Sequence, residues 1–112
     1  MLVYEEKIKD ILCPVEKTIV LIGTKWSLMI LKMLHLNKEP MRFNELLRLL
    51  KPISSKTLSA KLKELVSFEI VDREIIPTTP VGIRYSFSEK GKDLDAIFTA
   101  MAKWSLKWHG IE

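Results

Sequence analysis

Cysteine is almost absent from this chain: Cys13 is the only one in 112 residues. No internal disulfide can staple the fold, which must be held by its own core, and a reducing, cytoplasmic setting is the expectation. Long apolar runs are missing too. None approaches the ~20 residues that a membrane span needs, and the start Met-Leu-Val-Tyr-Glu-Glu-Lys lacks the basic opening and apolar middle of a signal peptide. No membrane partner is expected. The two histidines, His35 and His109, lie far apart and without metal-ligand spacing. Neither a glycine-rich phosphate loop nor a Gly-x-Ser-x-Gly elbow occurs. Trp26, Trp104 and Trp108 read as core or interface residues rather than as a stacking platform for single strands. These gaps point away from an enzyme, and they call for no cofactor and no metal.

What is present is a chain of ordinary single-domain length, 47% hydrophobic and 29% charged, able to bury a core and stay in solution. Its net charge is +4, and the excess is concentrated. Residues 42–66 carry six basic groups (Arg42, Arg48, Lys51, Lys56, Lys61, Lys63) against two acidic ones (Glu45, Glu64). The remaining 12 basic and 12 acidic residues cancel. All the surplus therefore lies in one stretch, as an electrostatic footprint for nucleic acid would.

That stretch contains the segment around which the chain is organised, Ser54 to Val66. On a helix at about 100° per residue, Leu58, Leu62 and Leu65 fall within roughly 60° of one another. Lys56, Thr57, Ala60, Lys63 and Glu64 take the opposite face, with Lys61 on the flank. Ser54 is placed to cap the amino end, and Pro52 separates this helix from the one before. Short polar side chains, a small alanine and several lysines can enter a DNA groove without clashing and still reach phosphates. The bland alternative is a solvated surface helix, since many such helices carry lysines.

The flanking sequence favours the sharper reading. Residues 2–12 form a short amphipathic pattern with Leu2, Ile8, Ile11 and Leu12 apolar. Pro14 suits the first turn of a helix through Val15–Ile22 that Gly23 ends. Lys25 to Leu36 is apolar on more than one side and is expected at the centre of the core. Met41-Arg42 reads as a very short strand, and Phe43 to Leu50 as a helix. A four-residue link then leads into the Ser54–Val66 helix, which makes a helix-turn-helix over 43–66. Ile70–Ile76 and Ile83–Phe87 change to a strand period, joined by a proline-rich loop, so that 70–87 forms a hairpin wing. Ser88 caps a final helix over 89–109, where Ile97, Met101, Trp104 and Trp108 recur at four, three and four with Ala100 between them. This stripe either folds back on its own subunit or pairs with a second chain. The favoured reading is pairing, with Leu2, Ile8, Ile11 and Leu12 as the other half. The expected fold is α+β, mostly α: a single winged helix-turn-helix domain with N- and C-terminal dimerisation helices.

These residues also carry a resemblance. Cys13-Pro14-Val15-Glu16-Lys17-Thr18, Leu21-Ile22-Gly23, Lys25-Trp26 and Leu31 resemble the N-terminal signature of HxlR-type transcriptional regulators, winged-helix proteins of MarR-like architecture. The likeness runs on through Arg42-Phe43-Asn44-Glu45-Leu46, Ile53-Ser54, Lys56, Leu58-Ser59, Leu62, Glu64-Leu65 and Val71. It resumes at Pro77, Tyr85-Ser86, Gly91, Leu94 and the tryptophan-bearing terminal helix. It implies a dimeric regulator whose helix 54–66 enters the major groove, whose wing lies over the backbone or minor groove, and whose terminal helices form the dimer. It further implies oxidant sensing by some members through a cysteine at the position of Cys13. With no second cysteine, sensing here would need a Cys13–Cys13 bridge between subunits or capping by a small thiol. Lys17, one turn on, and the start of the helix at Pro14 favour the thiolate. A partly buried structural thiol is the plain alternative. Two departures stand out. Thr24 replaces a usual Gly. Val81-Gly82-Ile83-Arg84 replaces a run that usually has Arg at position 82 and often Glu at 84, which puts the family's wing contact in doubt or moves it to Arg84.

The expected function is therefore a homodimeric, sequence-specific binder of double-stranded DNA on a pseudo-palindromic operator, with two major-groove helices about 34–36 Å apart. Lys56, Lys61 and Lys63 reach phosphates or guanine edges, and Ser54, Ser55, Thr57 and Ser59 offer hydrogen bonds. Arg42, Lys51 and Arg84 grip the backbone on either side. No small-molecule effector can be named from the sequence. The rival reading is a winged-helix protein-interaction module without DNA binding, and a third is RNA binding.

Overall fold

The computed structural model describes residues 13–110. The expected helix over 2–12, with Leu2, Ile8, Ile11 and Leu12, lies outside the described residues. In chain order the elements are α1 (Pro14–Ile22), α2 (Lys25–Leu36), β1 (Met41–Arg42), α3 (Phe43–Leu49), α4 (Ser55–Ser67), β2 (Val71–Ile76), β3 (Gly82–Phe87), α5 (Glu89–Lys92) and α6 (Leu94–His109). The three strands form one antiparallel sheet in the order β1-β3-β2. This is a winged helix-turn-helix: α3 and α4 are the paired helices, and β2 and β3 are the wing.

Local chemistry sets most of the boundaries. Pro14 stands in the first turn of α1, where its missing N–H costs nothing. Gly23 ends α1 with φ −82°, outside the left-handed region that helix-ending glycines often adopt. Thr24, a departure from the family pattern in sequence, is the cap of α2: its Oγ1 accepts the Ser27 N–H at 3.3 Å. The backbone N–H of Arg42 donates to the Glu45 carboxylate at 3.0 Å, closing the start of α3. Ser54 caps α4 through its hydroxyl, which accepts the Thr57 N–H at 3.1 Å. At the far end of α4 the Glu69 N–H donates to Val66 O at 2.9 Å and the Ile70 N–H to Leu65 O at 3.1 Å. Glu69 itself is left-handed, φ 62°. These are the two bonds of a Schellman ending, made here without glycine.

The core lies between α2, α4 and the inner face of the sheet. Ile30, Leu31, Leu46, Leu58, Leu62, Leu65 and Val71 are fully buried, with Met41 and Tyr85 packed beside them. Each leucine or isoleucine buried in this way contributes about 2 kcal/mol of transfer free energy. The three leucines read from sequence as the inward stripe of α4 are all in this set.

The single final helix expected over 89–109 is two pieces, divided at Asp93. The first turn is pinned from outside. Ser88 Oγ accepts the Gly91 N–H at 3.0 Å and lies 2.6 Å from Glu69 O and 3.0 Å from Ile70 O, donating to the α4–β2 turn. Lys90 Nζ donates to Phe68 O at 2.9 Å. Beyond the break, Leu94 and Phe98 pack on the core, and His35 on α2 stacks on Phe98 with ring centres 5.3 Å apart. His35 Nδ1 also lies 3.0 Å from the Asp95 carboxylate. After Phe98 every described residue of α6 is exposed.

Candidate nucleic-acid interface

The outward side of α4 is where the surplus charge gathers. Ser55, Lys56, Ser59, Ala60 and Lys63 are exposed, while Thr57, Lys61 and Glu64 are half-buried at its margins. The helix must face this way because Leu58, Leu62 and Leu65 turn the opposite side into the core. Among the described residues, none of Arg42, Arg48, Lys51, Lys56, Lys61 and Lys63 takes part in an ion pair. Within the described residues their charges are thus left available to a polyanion.

The hydroxyls divide into two groups. Ser54 is occupied by the cap: it accepts from the Thr57 N–H and donates to Thr57 Oγ1 at 3.0 Å. Thr57 keeps its own O–H to donate outward, and Ser55 and Ser59 stand on the open face.

Arg42, Lys51 and Arg84 do not form one uniform set. Arg42 and Lys51 are exposed, but Arg84 is tied across the hairpin, its Nη2 donating to Glu74 Oε1. Its Nε is buried without a hydrogen-bond partner among the described residues. The register explains the pairing. Arg42 stands opposite Arg84 between β1 and β3, and Arg84 stands opposite Glu74 between β3 and β2. Directly opposed residues share a face, so Arg42, Arg84 and Glu74 make one cross-strand row on the outer side of the wing. Sequence reading missed Glu74, since only the register reveals what Arg84 faces.

A second surface is apolar. Ile97, Met101, Trp104 and Trp108 are 42, 51, 62 and 65% exposed, so the described residues leave this stripe largely uncovered. Ala96, Ile97, Ala100, Met101, Trp104 and Ser105 line an open groove along it. The helix α1 adds Val15, Ile19 and Val20, also exposed. Sequence reading placed α1 but assigned no role to its outer side. The signal was there in the four-residue spacing of Val15 and Ile19 within a helix too apolar for one contact. Exposed apolar area of this extent marks an interaction surface.

Cys13 is buried at 6% exposure and immediately precedes α1, with its carbonyl accepting the Lys17 N–H at 2.9 Å. Among the described residues no cluster of His, Cys, Asp and Glu could hold a metal ion, and no single helix is long and apolar enough to cross a membrane.

Comparison with known proteins agrees with this architecture. The model of the HxlR-like helix-turn-helix family matches residues 21–112. The HTH-type transcriptional regulator YodB of Bacillus subtilis is 39% identical over 95 residues, covering 84% of this chain and 83% of YodB. The solved structure of reduced YodB superposes with a TM-score of 0.74 at 36% identity, covering 88% of this chain and 96% of that one. YodB has also been solved after diamide treatment. The redox regulator HypR in its oxidised form gives a TM-score of 0.76 at 33% identity, covering 88% of this chain and all of HypR's. These relatives regulate transcription and are not enzymes. The chain belongs to the HxlR-like helix-turn-helix family of transcriptional regulators.

Proposed function

We propose that this protein is a cytoplasmic, sequence-specific regulator that binds double-stranded DNA as a homodimer on a pseudo-palindromic operator. The observation that carries the reading is the outer side of α4. It is a face of exposed lysines, small hydroxyls and one alanine, free of ion pairs among the described residues and backed by three buried leucines. In such a site α4 lies in the major groove, with Lys56, Lys61 and Lys63 on phosphates or guanine edges and Ser55, Thr57 and Ser59 offering hydrogen bonds. Arg42 and Lys51 hold the backbone beside it. The dimer forms through the exposed stripe of α6, which a monomer would leave in water at a cost of roughly 25 cal/mol per Å² of apolar area.

A response to thiol oxidation through Cys13 is the second part of the proposal. It is supported by the relatives, of which HypR is a redox regulator and YodB has been solved in reduced and diamide-treated forms. In the simplest chemistry two Cys13 thiols, one from each subunit, lose two electrons and two protons to an oxidant such as diamide and form one disulfide.

A mobility-shift titration tests the central reading. The probes are duplex DNA from the region upstream of the protein's own gene, an unrelated duplex and duplex RNA, each over a salt series. Tight retention of one duplex over the other two, weakening steeply with salt, is expected. Salt-independent binding, or none, would leave a protein-interaction module as the better reading, equal salt-dependent retention of the two DNA duplexes would remove the sequence specificity, and preference for the RNA would favour RNA binding.

A further inference from the structure

We propose that the wing takes hold of a DNA phosphate through Arg42, a β1 residue, and that Glu74 withholds Arg84 from the same task. The inference rests on the duplex-binding reading above and assigns which cation of the wing serves it. Three features of the outer row support it. Arg84 is ion-paired with Glu74, whereas the Arg42 guanidinium has no ion-pair partner among the described residues. Two arginines directly opposed on neighbouring strands repel, which favours Glu74 at Arg84 and a lean of Arg42 away from it. The Arg42 guanidinium lies beside Gly82. A β-carbon there would make ordinary contact, 3.5 Å from Cζ and Nη1 of Arg42 and 3.4 Å from Ile76 Cδ1, so alanine would fit, while a bulky side chain reaching beyond its β-carbon would compete with the guanidinium for space.

The same residues frame a cleft of about 600 Å³, bordered by Arg42, Phe43 and Asn44 on one side and by the wing loop from Thr78 to Ile83 on the other. Its charged side chain is a cation, so a phosphate is the group it fits. A guanidinium fork binds phosphate in two parallel hydrogen bonds. The wing's positive charge is thereby delivered from the strand that opens α3, past the small residue at 82.

The test is fluorescence anisotropy on a mixed-sequence DNA duplex over a salt series, reading the slope of log K against log salt. Arg42→Ala is expected to make the slope shallower by about 0.9 for each protomer bound, while Arg42→Lys retains the slope because it retains the charge. Helix α3 keeps its closing bond in both, since that bond is made by the backbone of residue 42. Gly82→Leu should reproduce the Arg42→Ala loss, and the double variant should lose no more than either single. Arg84→Ala should leave the slope unchanged, and Glu74→Ala, by releasing Arg84, should steepen it by about the same 0.9. An unchanged slope in Arg42→Ala, or a loss carried by Arg84→Ala, overturns the assignment, and an unchanged slope in Glu74→Ala overturns the withholding role. Absence of salt-dependent binding by the unsubstituted protein is a distinct result: it removes the duplex-binding reading and this inference with it.

Discussion

Gly91 lies directly against the backbone carbonyl of Ile70: a β-carbon on Gly91 would stand 2.2 Å from that oxygen and 2.9 Å from Phe87 Cδ1. Backbone cannot move aside as a flexible side chain can. Gly91→Ala is therefore expected to destabilise the fold by about 1–3 kcal/mol, in the range of overpacked interiors. Urea unfolding measures this as a lower midpoint at unchanged m. A midpoint equal to that of the unsubstituted protein would mean that α5 is free to lift away.

At Glu69 the sign reverses. Its φ of 62° is a conformation that a side chain disfavours and glycine accepts freely. Glu69→Gly should raise stability by roughly 0.5–1 kcal/mol, seen as a higher thermal midpoint. Salt should not abolish the gain, because its origin is conformational and Glu69 makes no ion pair among the described residues.

Lys61 sits half-buried at the edge of α4's open face, and Lys63 lies fully on it. If Lys61 reads a base, Lys61→Ala costs about 1–3 kcal/mol of operator affinity and relaxes selectivity at that base pair. A uniformly shallower salt dependence with selectivity intact would reassign it to a phosphate. Lys63→Ala, measured alongside, gives the comparison.

Trp104 is 62% exposed at the middle of the α6 stripe. Trp104→Glu introduces a charge that a dry contact between two copies could not accommodate. Sedimentation should show the unsubstituted protein at twice its 13.0 kDa chain mass and the variant at the chain mass. An unsubstituted protein that sediments at 13.0 kDa would refute pairing.

Diamide provides the redox test. It should change operator affinity of the unsubstituted protein and leave Cys13→Ser unaffected, with a reducible dimer band on a non-reducing gel if the thiols bridge. Equal responses of the two proteins would rule the thiol out as a sensor.

The parts of this molecule that were legible in sequence are those decided within a few residues. Pro14, Gly23 and Ser54 mark helix ends where they stand, and the spacing of Leu58, Leu62 and Leu65 orients α4 correctly. Thr24 was legible only as a loop change, although a threonine two residues before Trp26 has the chemistry of a cap. The break at Asp93 was not legible, because residues 89–109 contain no breaker apart from Gly91. The cause lies in the distant carbonyls of Phe68, Glu69 and Ile70 to which the first turn is fastened. Likewise Arg84 looks available in sequence. That it faces Glu74, ten residues earlier, follows only from the hairpin register. Local rules place each element, and long-range pairing then decides which side chains remain for a partner.

The fastening at Ser88 has a consequence for any symmetric assembly made through α6. The element that would set one subunit beside the other is preceded by the short α5, and the cap of α5, Ser88, is fastened to the turn that ends the element that would touch the groove. The distance between two such reading heads is then a property of this small joint. A chemical event that twisted the arms by a few degrees would put both heads out of phase with the duplex together, without altering a single atom that touches a base.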